Sequence, residues 1–293
     1  MAEESNFNPI PISTTDVEGF YLNNSLQAIE DNVQEDALLI YGPLLGGMDS
    51  RVRIALDSLD EKKENLFVVV DTPGGVVEVV ERIVRTMRHH YDRVTFAVPD
   101  RAMSAGTVLV LSGDSILMDY HSCLGPIDPQ IERADGTLVP ALSYLEQYER
   151  LMKKAEEGIL TTADVVLLEK LDLAELHKFE LAKDLSISLI KNWLVEYKFR
   201  NWERTETRGL EVTDQMKQDR AKEIAELLNA QKMWMSHGRG IHMDTLKDVL
   251  GLKIDDYEEK PELRQQVWNY LWFARGHANA RGYRDFVHSR TFR

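Results

Sequence analysis

Leu66-Phe67-Val68-Val69-Val70-Asp71-Thr72-Pro73-Gly74-Gly75 is an unbroken apolar run that stops at a proline–glycine turn, and its reading decides the fold. A short apolar run closed by Pro-Gly-Gly reads as a strand covered on both faces, as in a parallel sheet. Behind the turn, Val76, Val77, Val80, Ile83, Val84 and Met87 recur at helical spacing as far as His89. The same alternation extends in both directions. Upstream, residues 37–41 read as a strand ending at Gly42-Pro43, and residues 52–59 as a helix. Downstream, residues 94–98 read as a strand, 105–111 as an apolar helix and 115–118 as a fourth strand. Strand and helix alternating at this pitch indicate βαβ units around a mainly parallel sheet, an α/β fold.

Beyond Pro129 the texture changes. Residues 144–157, 162–171, 173–195 and 212–235 are rich in Leu, Ala, Glu and Lys and read as almost wholly helical. Residues 241–250 read as a further helix, and Gly251-Leu252-Lys253-Ile254-Asp255 as a short strand returning to the sheet. The expected plan is a single domain. It has a loose N-terminal arm with a short helix (1–35), an α/β core (36–140), a helical insertion (141–235) and a C-terminal segment that completes the site (236–293).

Composition narrows the function. The net charge is −14, with 35 basic and 49 acidic residues, and no basic cluster suited to nucleic acid. Cys123 is the only cysteine, so no intrachain disulfide forms, which fits a cytoplasmic location. The start of the chain lacks a basic, then apolar, secretory pattern, and no apolar run is long enough to span a membrane. The histidines show no metal-ligand spacing, and neither a Walker A nor a GxGxxG motif occurs, so no metal or cofactor and no ATP hydrolysis is expected.

Two stretches carry chemistry. In Asp71-Thr72-Pro73-Gly74-Gly75, the glycine pair can bring backbone N–H groups close to a ligand at a helix N-terminus. In Ala102-Met103-Ser104-Ala105-Gly106, a serine flanked by small residues stands between a strand and an apolar helix. Together they offer an oxyanion cradle and a nucleophile at the carboxyl edge of a parallel sheet. Each has a plainer reading: a tight strand-to-helix turn for the glycines, and an N-cap for the serine.

Those two stretches, with Leu124-Gly125-Pro126-Ile127-Asp128-Pro129-Gln130, resemble the serine dehydrogenase proteinase family. That family is related to the Clp protease proteolytic subunit and signal peptide peptidase A. The resemblance runs from about residue 37 to residue 256 and takes in Trp193 to Phe199 and Ser236 to Ile241. It implies the Clp/crotonase fold, a superhelix of ββα units with a long helical insertion, and a homo-oligomeric assembly. It implies a soluble, ATP-independent serine peptidase acting on peptide or protein substrates. Ser104 would be the nucleophile, and the N–H groups of Gly74, Gly75 and Ala105 the oxyanion hole. The family's triad runs Ser, Asp, His in chain order. Asp128 stands where Clp-type proteases carry histidine, and His237 lies upstream of the Gly251–Asp255 ending. His237 is therefore expected to take the proton from Ser104, and Asp128 to orient the imidazole. The alternative base is Lys170, with Lys183 and Lys198 behind it; a catalytic lysine has to be partly buried to lower its pKa.

The insertion corresponds by that resemblance to a handle that joins subunits. Trp193, Trp202 and Trp234 suit an interface, or else they pack on their own core. Two other functions fit the same residues. One is a crotonase-type acyl-CoA enzyme using the same cradle without Ser104. The other is a non-catalytic oligomeric scaffold.

Overall fold

A computed structural model describes residues 14–127, 130–132, 138–205, 208–234, 236 and 238–292. In chain order these form α1 (Thr14–Val33), β1 (Asp36–Tyr41), α2 (Met48–Asp57), β2 (Asn65–Asp71), α3 (Val77–His90), β3 (Arg93–Ala97), β4 (Arg101–Ala102), α4 (Ala105–Val110) and β5 (Ser115–Met118). Next come β6 (Cys123–Leu124), the hairpin strands β7 (Gln130–Glu132) and β8 (Leu138–Pro140), α5 (Ala141–Glu156), α6 (Thr162–Glu169) and α7 (Leu173–Trp193). The chain ends with α8 (Asp214–Leu228), α9 (Gln231–Trp234), β9 (Ile241–His242), α10 (Met243–Asp248), β10 (Asp255–Asp256), α11 (Pro261–Ala280) and β11 (Phe286–His288).

Six strands form the main sheet in the order β10-β5-β3-β2-β1-β11. All neighbours are parallel except the β1–β11 pair. The apolar runs are explained by alternation between two covered faces. On one face Leu38, Ile40, Leu66, Val68, Val70, Val94 and Phe96 pack against α2, α3, α4, α7 and α8. On the other Ala37, Leu39, Phe67, Val69 and Ala97 pack against α1 and α11. Successive residues of a strand point to opposite faces, so a strand buried on both must be apolar throughout.

A second, smaller layer gives the fold its ββα repeat. After β1, β2 and β3 the chain takes a short extended step before its helix, and β6 is the matching step after β5. Leu44 bridges Gly75, Thr72 bridges Ala102, and β4 pairs with β6. β9 closes this layer antiparallel to β6. The result is the α/β, Clp/crotonase-type architecture, a mainly parallel sheet with a long helical insertion.

Two expectations change, and one open alternative is decided. The N-terminal arm holds a 20-residue helix, α1, that packs on α11 through Leu22, Leu26 and Ile29. Residues 241–250 open with the extended pair β9 before α10, because Ile241 and His242 complete the small sheet against Leu124 and Cys123. Of the three tryptophans, Trp193 and Trp234 are buried in the main core. Of the returning strand expected over residues 251–255 only Asp255 is extended; with Asp256 it forms the two-residue β10, parallel to β5.

Candidate active site

Parallel strands present their carboxyl ends at one edge of a sheet, and loops there converge. At that edge β2 delivers Asp71 to Gly75, and the step β4 delivers Ser104 to the start of α4. The two loops interlock. Thr72 N–H donates to the Arg101 carbonyl at 3.0 Å, and Met103 N–H donates to the Thr72 carbonyl at 3.0 Å. The Thr72 methyl fills the space that a Cβ on Gly106 would need, 2.5 Å away. The glycine at position 106 is thus a packing requirement of the Thr-Pro-Gly-Gly turn.

Ser104 has φ 51° and ψ −116°. Among the described residues only it and Gln34 are non-glycine residues with positive φ. Such a backbone costs about 1–3 kcal/mol and persists where the surroundings enforce it. Gly125 provides part of that enforcement: a Cβ there would lie 3.0 Å from the Ser104 nitrogen. Thr107 fixes Gly125 in turn, since its Oγ1 accepts from the Gly125 N–H at 2.9 Å and donates to the Gly125 carbonyl at 2.8 Å. The Ser104 side chain makes no capping bond to α4, so the plain N-cap reading does not hold. The residue is 1% exposed.

The cradle lies directly beside it. A Cβ on Gly74 would meet the Met103 carbonyl at 2.6 Å, the Ser104 Cβ at 2.9 Å and the Ala105 nitrogen at 3.4 Å. With φ +101°, Gly74 is the residue that lets the two loops touch. Its own N–H donates to Thr72 Oγ1 at 3.0 Å. The bridge to Leu44 engages the Gly74 carbonyl and the Val76 N–H. Gly75 lies between those bonds, and its N–H turns the other way. Neither the Gly75 N–H nor the Ala105 N–H has an acceptor among the described residues. The Ala105 amide follows the strained serine directly and the Gly75 amide follows the Gly74 turn that presses on it; amides without acceptors can stabilise charge on an oxygen that reaches them.

The expected triad partners Asp128 and His237 both lie outside the described residues. The chain leading to them is placed on either side. β6 runs into Gly125, and β9 pairs with β6 through Leu124 opposite Ile241. Lys170 sits exposed at the C-terminus of α6, away from these loops. Among the described residues Lys198 is the lysine that burial acts on, its pKa lowered to about 8 by desolvation against the pull of Asp255. It lines a cavity near the amino ends of β3 and β5, across the sheet from Ser104. Among the described residues no cluster of His, Cys, Asp and Glu could hold a metal, and no helix is long and apolar enough to cross a membrane.

Sequence reasoning gave Asp71 and Arg275 no role. Asp71 is buried at the end of β2, and Arg275 of α11 reaches it at 2.7 Å and also bonds Asp100. Burial raises the Asp71 carboxyl pKa, and Arg275 opposes that rise. The pair holds the turn from the opposite face of the sheet. Asp71 stood in the motif, but nothing in the sequence points from it to an arginine 204 positions away.

A family model described as a ClpP-like SDH-type serine proteinase matches residues 50–210. Two uncharacterized proteins of Methanocaldococcus jannaschii are similar to the chain. MJ1495 is 34% identical over 119 residues, 40% of this chain and 38% of that protein. MJ0137 is 33% identical over 105 residues, 36% of this chain and 35% of that protein. The match thus spans little more than a third of either relative. Among solved structures, a mutant of the 1510-N membrane-bound stomatin-specific protease is similar at 14% identity and TM-score 0.44, over 78% of this chain and 82% of that one. A second mutant of that protease, in complex with a substrate peptide, is similar at 15% identity and TM-score 0.43, over 75% and 73%.

Proposed function

The chain belongs to the ClpP-like SDH-type serine proteinases, and on that premise we propose that it hydrolyses peptide bonds through an acyl-enzyme on Ser104. No ATP or cofactor enters the reaction. The observation that carries this reading is the strained Ser104, pressed against Gly74, with the Ala105 and Gly75 N–H groups of the same two loops lacking acceptors among the described residues. A serine whose hydroxyl had only a capping role would gain nothing from a backbone that costs free energy.

Ser104 Oγ attacks the peptide carbonyl carbon while a base removes its proton. The carbonyl oxygen becomes an anion between the Gly75 and Ala105 amides, and Gly74 contributes by allowing the close approach. Collapse of the tetrahedral intermediate expels the amine, which takes the proton back from the base. Water then repeats the sequence and frees Ser104. His237 is the proposed base and Asp128 its orienting partner. Support comes from β9 pairing with β6 beside Gly125, which leads the segment upstream of Ile241 toward the serine. Lys170 is the weaker candidate, since it is exposed on the helical arm. The substrate is a peptide or protein, the location cytoplasmic, and the assembly homo-oligomeric.

Ser104 is nearly closed to solvent, so a peptide engages it only after local opening. A small fluorophosphonate probe is therefore expected to label it faster than any folded protein is cleaved. Mass spectrometry of the labelled protein is expected to place the adduct on Ser104. His237→Ala should abolish it and Lys170→Ala should leave it. Adduct on a different serine, or peptide cleavage surviving in Ser104→Ala, would remove the proposal. Loss of labelling in Lys170→Ala alone would transfer the base to that lysine.

A further inference from the structure

The chain carries 35 basic against 49 acidic residues, yet one cavity reverses the balance. It has a volume of about 890 Å³ and lies near the amino ends of β3 and β5, against the loop that leads into β10. Among the described residues lining it, the cations are Arg93, Lys198, Arg204, Arg220, Lys247 and Lys253. The three acids there are Asp114, Asp248 and Asp255. Asp114 is already neutralised, because Arg88 binds it at 2.7 Å and the Val94 N–H donates to it at 2.9 Å. Arg93, Lys198, Lys247 and Lys253 form no salt bridge among the described residues. Asp248 and Asp255 offset only part of this charge; like charges in excess of their counterions repel one another, and an anion placed among them relieves the repulsion.

The wall is built to hold Lys198 there. α7 ends in a π-helical turn, Leu194–Lys198, closed by the Phe199 N–H on the Leu194 carbonyl at 2.7 Å. Such turns are rare and concentrate at functional sites. Desolvation holds the Lys198 ammonium down to about 8, with Asp255 opposing that shift and Lys253 adding to it. Phe199 and Trp202 pack with ring centres 5.4 Å apart beside it, and the half-buried indole offers a flat apolar face.

We propose that this cavity binds a small phosphate-bearing anion. It lies at the opposite edge of the sheet from Ser104, about one strand length away, on the order of 15 Å for a five-residue strand. It is therefore a site separate from the peptidase chemistry and does not depend on it. The cationic wall would take the phosphate and the indole any attached ring. Free pyrophosphate and a nucleotide share that chemistry.

Calorimetric titration of the full chain with pyrophosphate, AMP and adenosine tests the assignment. Pyrophosphate and AMP are expected to bind and adenosine not to. AMP binding more tightly than pyrophosphate identifies a nucleotide site; equal affinity identifies a site for the phosphate alone. Lys198→Met is expected to weaken both phosphates at least tenfold. Lys253→Glu, at an exposed position, should weaken them similarly, and Ser104→Ala should change nothing. Absence of binding at millimolar phosphate, or binding unchanged in both cavity variants, overturns the proposal.

Discussion

Ser104 concentrates the physics of the site in one backbone angle. At φ 51° its Cβ is held where an L-residue is disfavoured, by Gly125 behind its nitrogen and by the Gly74 turn in front. Replacing it separates strain from chemistry. Ser104→Ala removes the nucleophile and keeps a Cβ in the strained position. Ser104→Gly removes both. Relief of about 1–3 kcal/mol of strain outweighs the roughly 0.5–1 kcal/mol that glycine loses in backbone entropy. The glycine variant is thus expected to be more stable than the alanine variant by about 1 kcal/mol in urea denaturation, with neither variant labelled by a fluorophosphonate. The alanine variant emerging as the more stable would mean that the turn holds no strain. The sequence made the two loops legible because turn glycines and a serine among small residues are local signals. The positive φ was not legible, since no residue type encodes it outside glycine and the constraint comes from Gly125, 21 positions away in the chain.

At the scale of elements, α11 ties the carboxyl edge of the sheet together from behind. Arg275 binds Asp71 at the end of β2 and Asp100 after β3, and Arg264 binds the fully buried Asp119 after β5 at 2.9 Å. Removing one partner of a buried pair leaves a charge without compensation, at a cost of about 3–5 kcal/mol. Arg275→Ala should approach the lower end of that range, because Asp100 is partly exposed and Arg101 remains 4.0 Å from Asp71. The sign with pH follows from Asp71, whose folded pKa burial already raises above its ordinary value. Without Arg275 it rises further. Stability held by the protonated form is present in acid and lost as pH climbs through the folded pKa. The deficit of the variant relative to wild type should therefore be larger at pH 7 than at pH 4 in urea titrations. A deficit that does not vary with pH would show that Arg275 acts through packing alone. Strands β1, β2, β3 and β5 could be read within a residue or two, because burial on both faces forces uninterrupted apolar runs. The two-residue strands β4, β6 and β9 are too short to leave a period. α11 carries its apolar residues among two arginines, two glutamines and a histidine, so its helical face emerges only against α1.

At the scale of the molecule, the helical insertion divides into a part that belongs to the core and a part that does not. α7 enters the main core through Leu189, Ile190 and Trp193, and α8 through Ile224, Ala225 and Leu228. The distal part has only a small core of its own, Leu145, Leu176 and Phe179. Around it Ile159, Val165, Val166, Leu167, Leu173 and Leu181 are between 41% and 69% exposed. The tryptophans that suggested an interface mostly face inward, and it is aliphatic residues on and around α6 that stand in water. Scattered apolar residues are ordinary on a surface, but three in succession on one short helix favour association. A second copy of the chain presents the same patch, and a two-fold arrangement covers both at once. Light scattering of the wild type is therefore expected to give a multiple of 33.6 kDa. Val166→Glu with Leu167→Glu should shift that mass toward the monomer without lowering the melting temperature of the monomeric fold, since neither side chain is buried. Wild type running as a monomer, or the double variant keeping its mass, would exclude the arm as the contact. Fluorophosphonate labelling of the dissociated variant completes the argument: Ser104, Gly75 and Ala105 all come from one chain, so labelling should survive dissociation.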